Sequence, residues 1–328
     1  MVGRWLITGG CGFIGTSLIS RILIDQPDAH IRVLDNLSIG NRDDLAEVCS
    51  FEEVSENAVP DKSGVFLLVG DIRNADQCLL ATISVECIVH LAANTGVGPS
   101  VEDPRADMEV NVIGVFNMLE SARINAVKRF VFASSGAPAG MVSPPIHEEL
   151  APHPVSPYGA SKLSGEGYCS CYYQTFDINT VSLRFGNVYG PRSKHKSSVV
   201  AKFIRQALNN ETCEIYGDGT QTRDFIYIDD LINAVVKATN FEKGGEVFQI
   251  AAGAEMTLNE LTKKLKLIFH DKTGEKMKVI NGQKRLGDVM RNFADTSKAK
   301  KILGWEPLMP IDEGLANTIV SLSEGYNK

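Results

Sequence analysis

The segment Thr8-Gly9-Gly10-Cys11-Gly12-Phe13-Ile14-Gly15 constrains this chain more than any other. It lies between a short aliphatic run, Trp5-Leu6-Ile7-Thr8, and an amphipathic stretch from Phe13 to Ile24, so it reads as a tight turn from strand to helix. Glycines at 9, 12 and 15 remove the Cβ atoms that would keep a ligand off the backbone, and the helix behind them offers unsatisfied N–H groups and a positive dipole end. Those are the requirements for holding a pyrophosphate. Asp35 closes the second strand-like run, twenty residues after Gly15. A carboxylate there can hold an adenosine ribose diol and repel a 2′-phosphate, so the expected cofactor is NAD rather than NADP. Contacts to it are expected from Gly9, Gly12, Phe13, Ile14, Gly15, Asp35 and Asn36.

Further strand-like runs fall at Ile31–Asp35, Val65–Val69, Cys87–Leu91, Arg129–Ala133 and Asn179–Leu183, with helical patterns between most of them. This alternation predicts an α/β fold, a doubly wound parallel sheet of the Rossmann type. Residues 48–63 are acidic and weakly periodic and read as a surface excursion between the second and third strands. After Arg184 the pattern is less regular, with a Gly190-Pro191 turn, a helix near Val199–Leu208 and a glycine-punctuated loop at Gly217–Gly219. Asp229–Ala238 and Glu246–Ala251 again read as a helix and a strand that return to the large sheet. The 328 residues therefore suit a cofactor domain over 1–184, rejoined by about 226–252, and a smaller, discontinuous substrate domain over 185–225 and 253–328.

Composition removes several classes of function. Lys plus Arg number 33 against 40 Asp plus Glu, a net charge of −7, so no general positive field exists to draw a nucleic-acid backbone. The longest apolar runs fall far short of the ~20 residues that span a bilayer, and no charged leader precedes Trp5, so a cytoplasmic protein without a membrane role is expected. The seven Cys lack Cys-x-x-Cys spacing and the six His form no ligand-spaced cluster, which predicts reduced thiols and no metal.

Asp71 and Ile72 follow the third run, where the adenine is expected, and Leu91-Ala92-Ala93 closes the fourth with small residues that let a cofactor pass close. Ser134 and Ser135 end the fifth, and Tyr158-Gly159-Ala160-Ser161-Lys162 opens the following helix. Tyr158 and Lys162, four apart, share a helix face. A phenol titrating near 10 is a poor base at neutral pH unless cations stabilise the phenolate, and Lys162 with a cationic nicotinamide is expected to lower the pKa of Tyr158. Ser135, Tyr158 and Lys162 form the expected catalytic set, the last two also touching the cofactor.

Together these residues resemble the extended short-chain dehydrogenase/reductase family. The segments Arg184–Arg192, Tyr216–Asp224 and Gly304-Trp305-Glu306-Pro307 are similar to its nucleotide-sugar epimerase branch, of the UDP-galactose 4-epimerase type. The resemblance implies NAD-dependent 4-epimerisation of a UDP-sugar of the UDP-GlcNAc or UDP-glucose type through a transient 4-keto intermediate. Tyr158 would take the 4-hydroxyl proton and Ser135 would bond the same oxygen. By the same resemblance Asn187, Arg223 and Arg285 hold the nucleotide diphosphate, a role suited to the planar donor fork of Arg, while Asp288 lies near the nucleoside ribose and Tyr216 joins the substrate set. Helices over 108–123 and 158–176 would pair across a two-fold axis, making a homodimer.

Departures from the family narrow the reaction. Ala139 stands where relatives often carry the Tyr of Ser/Thr-x-x-Val-Tyr-Gly. Sugar 4,6-dehydratases carry an acidic pair just after the catalytic Ser/Thr, whereas Gly136 and Ala137 here cannot move protons, which disfavours dehydration. Asn292 is expected beside the sugar's C2 substituent, where its small size predicts room for a 2-acetamido group. Arg192 and Lys194 offer charges for a C6 carboxylate, so a UDP-uronic acid 4-epimerase is the alternative. Another dehydratase or decarboxylase, or a non-catalytic NAD-binding sensor, ranks below it, since a sensor has no need of Tyr158 and Lys162.

Overall fold

The computed structural model describes residues 2–55, 60–284 and 289–326. The chain divides into two compact units: unit 1 comprises 1–141, 148–185 and 232–248, and unit 2 comprises 142–147, 186–231 and 249–328. In chain order the elements to the end of the first long stretch are β1 (Arg4–Thr8), α1 (Phe13–Asp25), β2 (His30–Asp35), α2 (Arg42–Ala46), β3 (Glu52–Val54), β4 (Gly64–Val69), α3 (Ala75–Ala81), β5 (Cys87–His90), α4 (Val97–Glu102), α5 (Pro104–Met108), α6 (Gly114–Ile124), β6 (Arg129–Ser135), α7 (Pro157–Phe176) and β7 (Asn179–Phe185). They continue as β8 (Asn187–Tyr189), α8 (Val199–Leu208), β9 (Thr212–Tyr216), β10 (Thr222–Arg223), β11 (Phe225–Tyr227), α9 (Ile228–Thr239), β12 (Glu246–Ile250), β13 (Met256–Thr257), α10 (Leu258–Thr273), β14 (Lys278–Gly282) and α11 (Ile311–Tyr326).

Unit 1 is built on a sheet of order β12-β7-β6-β5-β1-β2-β4-β3, with the pairs from β7 to β3 all parallel. The chain leaves β1 in one direction, toward β2 and β4, and later returns to β5 on its other side, so the strand order reverses between β1 and β5. Strands read as aliphatic runs because both faces are covered: every residue of β2 is buried. Beneath β5 and β6, Phe130, Phe132 and Ile88 pack with Met118, Leu119 and Tyr172 from α6 and α7. Truncating an aromatic such as Phe132 to Ala costs about 3–5 kcal/mol.

Two features correct the sequence reading. The acidic stretch 48–63 is not only an excursion: Glu52–Val54 add an edge strand to β4. A polar edge strand carries little apolar signal, and here Arg42 holds Glu53 at 2.6 Å and Lys62 holds Glu52 at 3.0 Å. Residues 142–147, 226–231 and 249–252, expected in the cofactor domain, fall in unit 2, while Phe185 ends β7 in unit 1. Ile146 ties the first of those segments down, donating to Phe293 O at 2.9 Å and accepting from Asp295 N at 2.8 Å.

Unit 2 contains short two-stranded pairings, β8 with β11 and β9 with β14 in parallel, and β10 with β13 antiparallel. Asp224 is its hub, accepting from the backbone N–H groups of Ala252, Gly253 and Ala294 at 2.7, 3.0 and 3.1 Å. Trp305 of the Gly-Trp-Glu-Pro segment is buried and donates from Nε1 to Asp230 O at 2.8 Å, so that motif serves packing.

Candidate active site

In an open parallel sheet, ligands bind beyond the carboxyl ends of the strands where the order reverses. At that point Gly9 adopts φ 68, and a Cβ on it would lie 2.8 Å from Ala92 N. A Cβ on Gly15 would lie 2.4 Å from Gly9 O, whereas one on Gly12 meets nothing nearer than Gly9 O at 3.3 Å. The fold itself therefore demands Gly9 and Gly15, while Gly12 keeps open the space in front of the turn. Among the described residues no side chain caps the N-terminus of α1, which leaves its positive end for an anion, with Phe13 and Ile14 half-buried in the first turn.

Asp35 is buried at the end of β2 and accepts from Cys11 N at 2.9 Å and Leu37 N at 2.8 Å. Burial pushes its carboxyl above the usual range, against those two bonds. Asn36 Nδ2 reaches Asp71 Oδ2 at 3.2 Å, and Arg73 grips the same carboxylate at 2.7 Å, drawing Asp71 down to about 2. These residues fit NAD: phosphates at the α1 terminus and a ribose at Asp35. Ile72 differs from expectation, because its side chain fills the core against Gly114, where an added Cβ would meet Ile72 Cδ1 at 2.5 Å. Its carbonyl accepts from Asn117 Nδ2 at 2.9 Å, which leaves the backbone N–H to meet a ligand. β5 ends at His90, so Leu91, Ala92 and Ala93 form the loop beyond it, and Ala92 N donates to Thr8 Oγ1 at 3.1 Å.

The second cluster stands at the ends of β6 and α7. Ser156 caps α7 by accepting from Gly159 N at 3.1 Å, and Pro157 opens the first turn, which fixes Tyr158 as the next residue. Further along, a Cβ on Gly165 would fall 2.4 Å from Phe132 Cζ, so glycine lets α7 lie close on β6. Lys162, buried, thereby reaches Ala133 O at 2.9 Å and lies 5.9 Å from the Tyr158 ring centroid. The half-buried Tyr158 is hydrogen-bonded to Ser135. Ser135, Tyr158 and Lys162 are thus brought together, as anticipated.

In the protein alone, burial sets the direction of the phenol's shift. Burial raises Tyr158 above its ordinary value, Ser135 works against this, and the Asp107 carboxylate adds to it. Burial also lowers Lys162 to about 8, opposed by Asp107 and Glu166. The cation that was to lower the phenol is itself half-discharged near that pH. Sequence reasoning also passed over Asn111, in the π-helical turn Glu109–Ile113 that fuses α5 to α6; its amide reaches Asn94 O at 2.8 Å and Asp107 Oδ1 at 2.9 Å. Behind Ser135, Ser134 donates to Glu166 at 2.5 Å, and Glu166 forms a buried two-pronged pair with Arg184 at 2.7 and 2.8 Å.

In unit 2, Tyr216 ends β9 and lines a concavity of about 160 Å³ with Gly217, Asp218, Gln221, Lys284 and Met290, while Lys202 Nζ lies 5.5 Å from its ring centroid. Arg223 donates from Nη1 to Thr222 O and Val289 O, each at 2.7 Å. Asn187 Nδ2 is held by Asp224 O at 3.1 Å. Asn292 N donates to Thr222 Oγ1 at 3.2 Å, which sets it beside the strand carrying Arg223. Arg192 follows the Gly-Pro turn at φ 66. Arg285 and Asp288 lie outside the described residues. Among the described residues no cluster of His, Cys, Asp or Glu is built to hold a metal, and no helix is long and apolar enough to cross a membrane.

A doubly wound sheet, an uncapped glycine turn and a Ser–Tyr–Lys cluster define a dinucleotide-binding protein with acid–base groups at its sheet edge. Residues 5–251 match the NAD dependent epimerase/dehydratase family. Over 322 residues the chain is 36% identical to the UDP-glucose 4-epimerase of Mycolicibacterium smegmatis, covering 96% of this chain and 97% of that one. It is 30% identical over 330 residues to the dTDP-D-glucose 4,6-dehydratase of Homo sapiens, covering 99% and 91%. The crystal structure of UDP-glucose 4-epimerase with UDP-glucose from Thermotoga maritima is similar at a TM-score of 0.88 and 32% identity, covering 98% of this chain and 99% of that one. The chain belongs to the NAD dependent epimerase/dehydratase family, and is an NAD-dependent enzyme of the nucleotide-sugar epimerase/dehydratase class.

Proposed function

We propose that this enzyme is a UDP-sugar 4-epimerase that accepts UDP-GlcNAc. One observation carries the reading: Ser135 and Tyr158 are hydrogen-bonded beside a buried Lys162, and the next residues after Ser135, Gly136 and Ala137, have no ionisable side chain. Dehydration needs a further acid and base at the sugar; epimerisation needs one proton taken from the 4-hydroxyl and later returned. Bound NAD supplies the two-electron acceptor and, in its oxidised ring, a positive charge that favours phenolate. Tyr158 takes the 4-hydroxyl proton as C4 is oxidised and gives it back when the 4-keto sugar is reduced on its opposite face. Ser135 holds the same oxygen throughout. Lys162 opposes the charge that develops on Tyr158. Arg223 and Asn187, with Arg285, anchor the diphosphate, so the sugar can turn while the nucleotide stays bound.

Arg192, in a left-handed conformation that side chains seldom adopt, and Lys194 support a second reading, a UDP-uronic acid substrate. Purified holoenzyme incubated separately with UDP-GlcNAc, UDP-glucose and UDP-glucuronic acid, with the sugar protons followed by NMR, decides among them. The C4 epimer of UDP-GlcNAc is expected. Turnover of UDP-glucuronic acid alone establishes the second reading, and equal or better turnover of UDP-glucose removes the role given to Asn292.

We also propose a homodimer. Met108, Ile113, Phe116, Tyr168 and Phe176 are exposed apolar side chains on the fused α5–α6 helix and α7, and Phe116 and Tyr168 already meet edge to face at 5.7 Å. Two helices with an uncovered apolar strip suit an isologous contact. Light scattering on wild type and Phe116→Glu is expected to show a dimer and a monomer.

A further inference from the structure

Asp107 is the carboxylate that the mechanism above leaves unused. It closes the first part of the fused helix, in α5, which packs against α7, and it is 1% exposed. Oδ1 accepts from Asn111 Nδ2 at 2.9 Å, whereas Oδ2 is buried without a hydrogen-bond partner among the described residues. A buried carboxylate with half its acceptor capacity unused is costly unless a cation shares its low-dielectric surroundings. Lys162 is a buried cation on α7, the helix against which α5 packs, and it feels the Asp107 carboxylate; its ammonium has three protons to donate and, among the described residues, gives a hydrogen bond to Ala133 O. The same Asn111 amide lies 3.4 Å from Ser161 Oγ, and Ser161 Oγ donates to Tyr158 O at 3.0 Å. A short polar chain therefore runs from Asp107 to the backbone of the catalytic turn.

We propose that Asp107 is a positioning residue for the Tyr158–Lys162 pair, its buried charge holding Lys162 as the ammonium and setting the pH range over which Tyr158 exchanges its proton. The inference rests on Tyr158 being the acid–base group proposed above. Other groups also face the pair: Glu166 and Cys169 from α7, His90 from β5 and Ser135 from β6. Of these, Glu166 is shared with Arg184, and burial holds His90 neutral, down to about 3. Asp107 is the negative charge that reaches both Tyr158 and Lys162. It raises both groups, so it keeps the cation charged while making the phenol harder to ionise until further positive charge arrives.

The test uses the NAD-loaded enzyme. Tyrosinate absorbance of each protein, less that of the same protein carrying Tyr158→Phe, gives the titration of Tyr158 without any substrate. With Asp107→Asn the titration is expected to move to lower pH by about one unit, the size of effect a nearby charge produces. Both limbs of the pH–rate profile are expected to move the same way, and Asp107→Glu, which restores the charge, is expected to return the profile to its wild-type position even at reduced height. A profile that falls in height without moving, or that moves equally in Asp107→Glu, overturns the proposal. Should Asp107→Asn not fold, Asp107→Ser makes the same charge deletion with a smaller side chain. If Tyr158→Phe keeps wild-type turnover, it is the 4-epimerase reading that fails instead.

Discussion

Lys162 in unit 1 and Arg223 in unit 2 are the cations on which the proposed reaction leans, and the two units hold them by different means. Lys162 projects from a helix seated on a long parallel strand and is 3% exposed, so its position is fixed by the sheet. Its charge is the weak point, because burial lowers it to about 8. Arg223 is half-buried on a two-residue strand, and what it offers is a planar donor fork. Its position is the weak point, since it hangs on carbonyls of its own strand and of the segment 289–292, which pairs with that strand through Thr222 N to Met290 O at 2.8 Å. Unit 1 thus invites changes in protonation, and unit 2 invites changes in geometry.

The largest effect that would break this contrast lies at Tyr158. Tyr158→Phe removes the proton acceptor without enlarging the site, and kcat for the UDP-sugar is expected to fall by about 10²–10⁴, with the NAD content of the purified protein unchanged. Lys162→Met, similar in bulk, is expected to fall almost as far. Turnover within tenfold of wild type for either sinks the assignment.

The glycine turn separates fold from ligand within unit 1. Gly15→Ala drives a Cβ to 2.4 Å from Gly9 O and 2.5 Å from Gly10 Cα, so the turn must open. A loss of about 1–3 kcal/mol of stability is expected, together with loss of retained NAD. Gly12→Ala meets only Gly9 O at 3.3 Å, so its melting temperature is expected to stay close to wild type while NAD affinity falls about tenfold, or ~1.4 kcal/mol. Thermal melts beside cofactor titrations measure both, and a parallel loss of stability in Gly12→Ala removes the cofactor role given to that residue.

What could be read beforehand follows the range of the interactions. The turn at Gly9–Gly15 and the Tyr158/Lys162 pair are local, and spacing along one strand-turn-helix or one helix face places them. Asp107 and Asn111 are also four apart, but they enter a π-helical turn whose winding no hydrophobic period announces, and what they face is decided by α7, some fifty residues on. The burial that raises Tyr158 was hidden for a similar reason, because it is a tertiary quantity. β3 escaped because an edge strand needs no apolar alternation, and the burial of the Ile72 side chain escaped because a residue beside a binding edge can still point into the core.

In unit 2 the contrast is sharpened by keeping charge and changing shape. Arg223→Lys preserves the cation but cannot hold Thr222 O and Val289 O while presenting a second donor to a phosphate. KM for the UDP-sugar is expected to rise about tenfold with kcat little changed, since a diphosphate anchor is used equally in ground and transition states. A fall in kcat at unchanged KM would place Arg223 in the chemistry and erase the division of labour between the two cations.

The smallest effect concerns Asp71 and Arg73, a pair at the cofactor edge that involves no chemistry. Arg73 lowers Asp71 to about 2 from an ordinary value of 3.8, so the folded state prefers the ionised carboxylate. Stability from this source is present above pH ~4, where an unfolded Asp is ionised as well, and is lost as pH falls through the folded value near 2. The Arg73 side chain is 48% exposed, and solvent screening holds the contribution to about 1 kcal/mol or less. Arg73→Gln is therefore expected to lower the melting temperature by a few degrees at most near pH 6, with the gap to wild type closing as pH approaches 2 and narrowing at high salt. A gap that persists unchanged into acid would mean that the Arg73 side chain acts through packing over α3 and not through its charge.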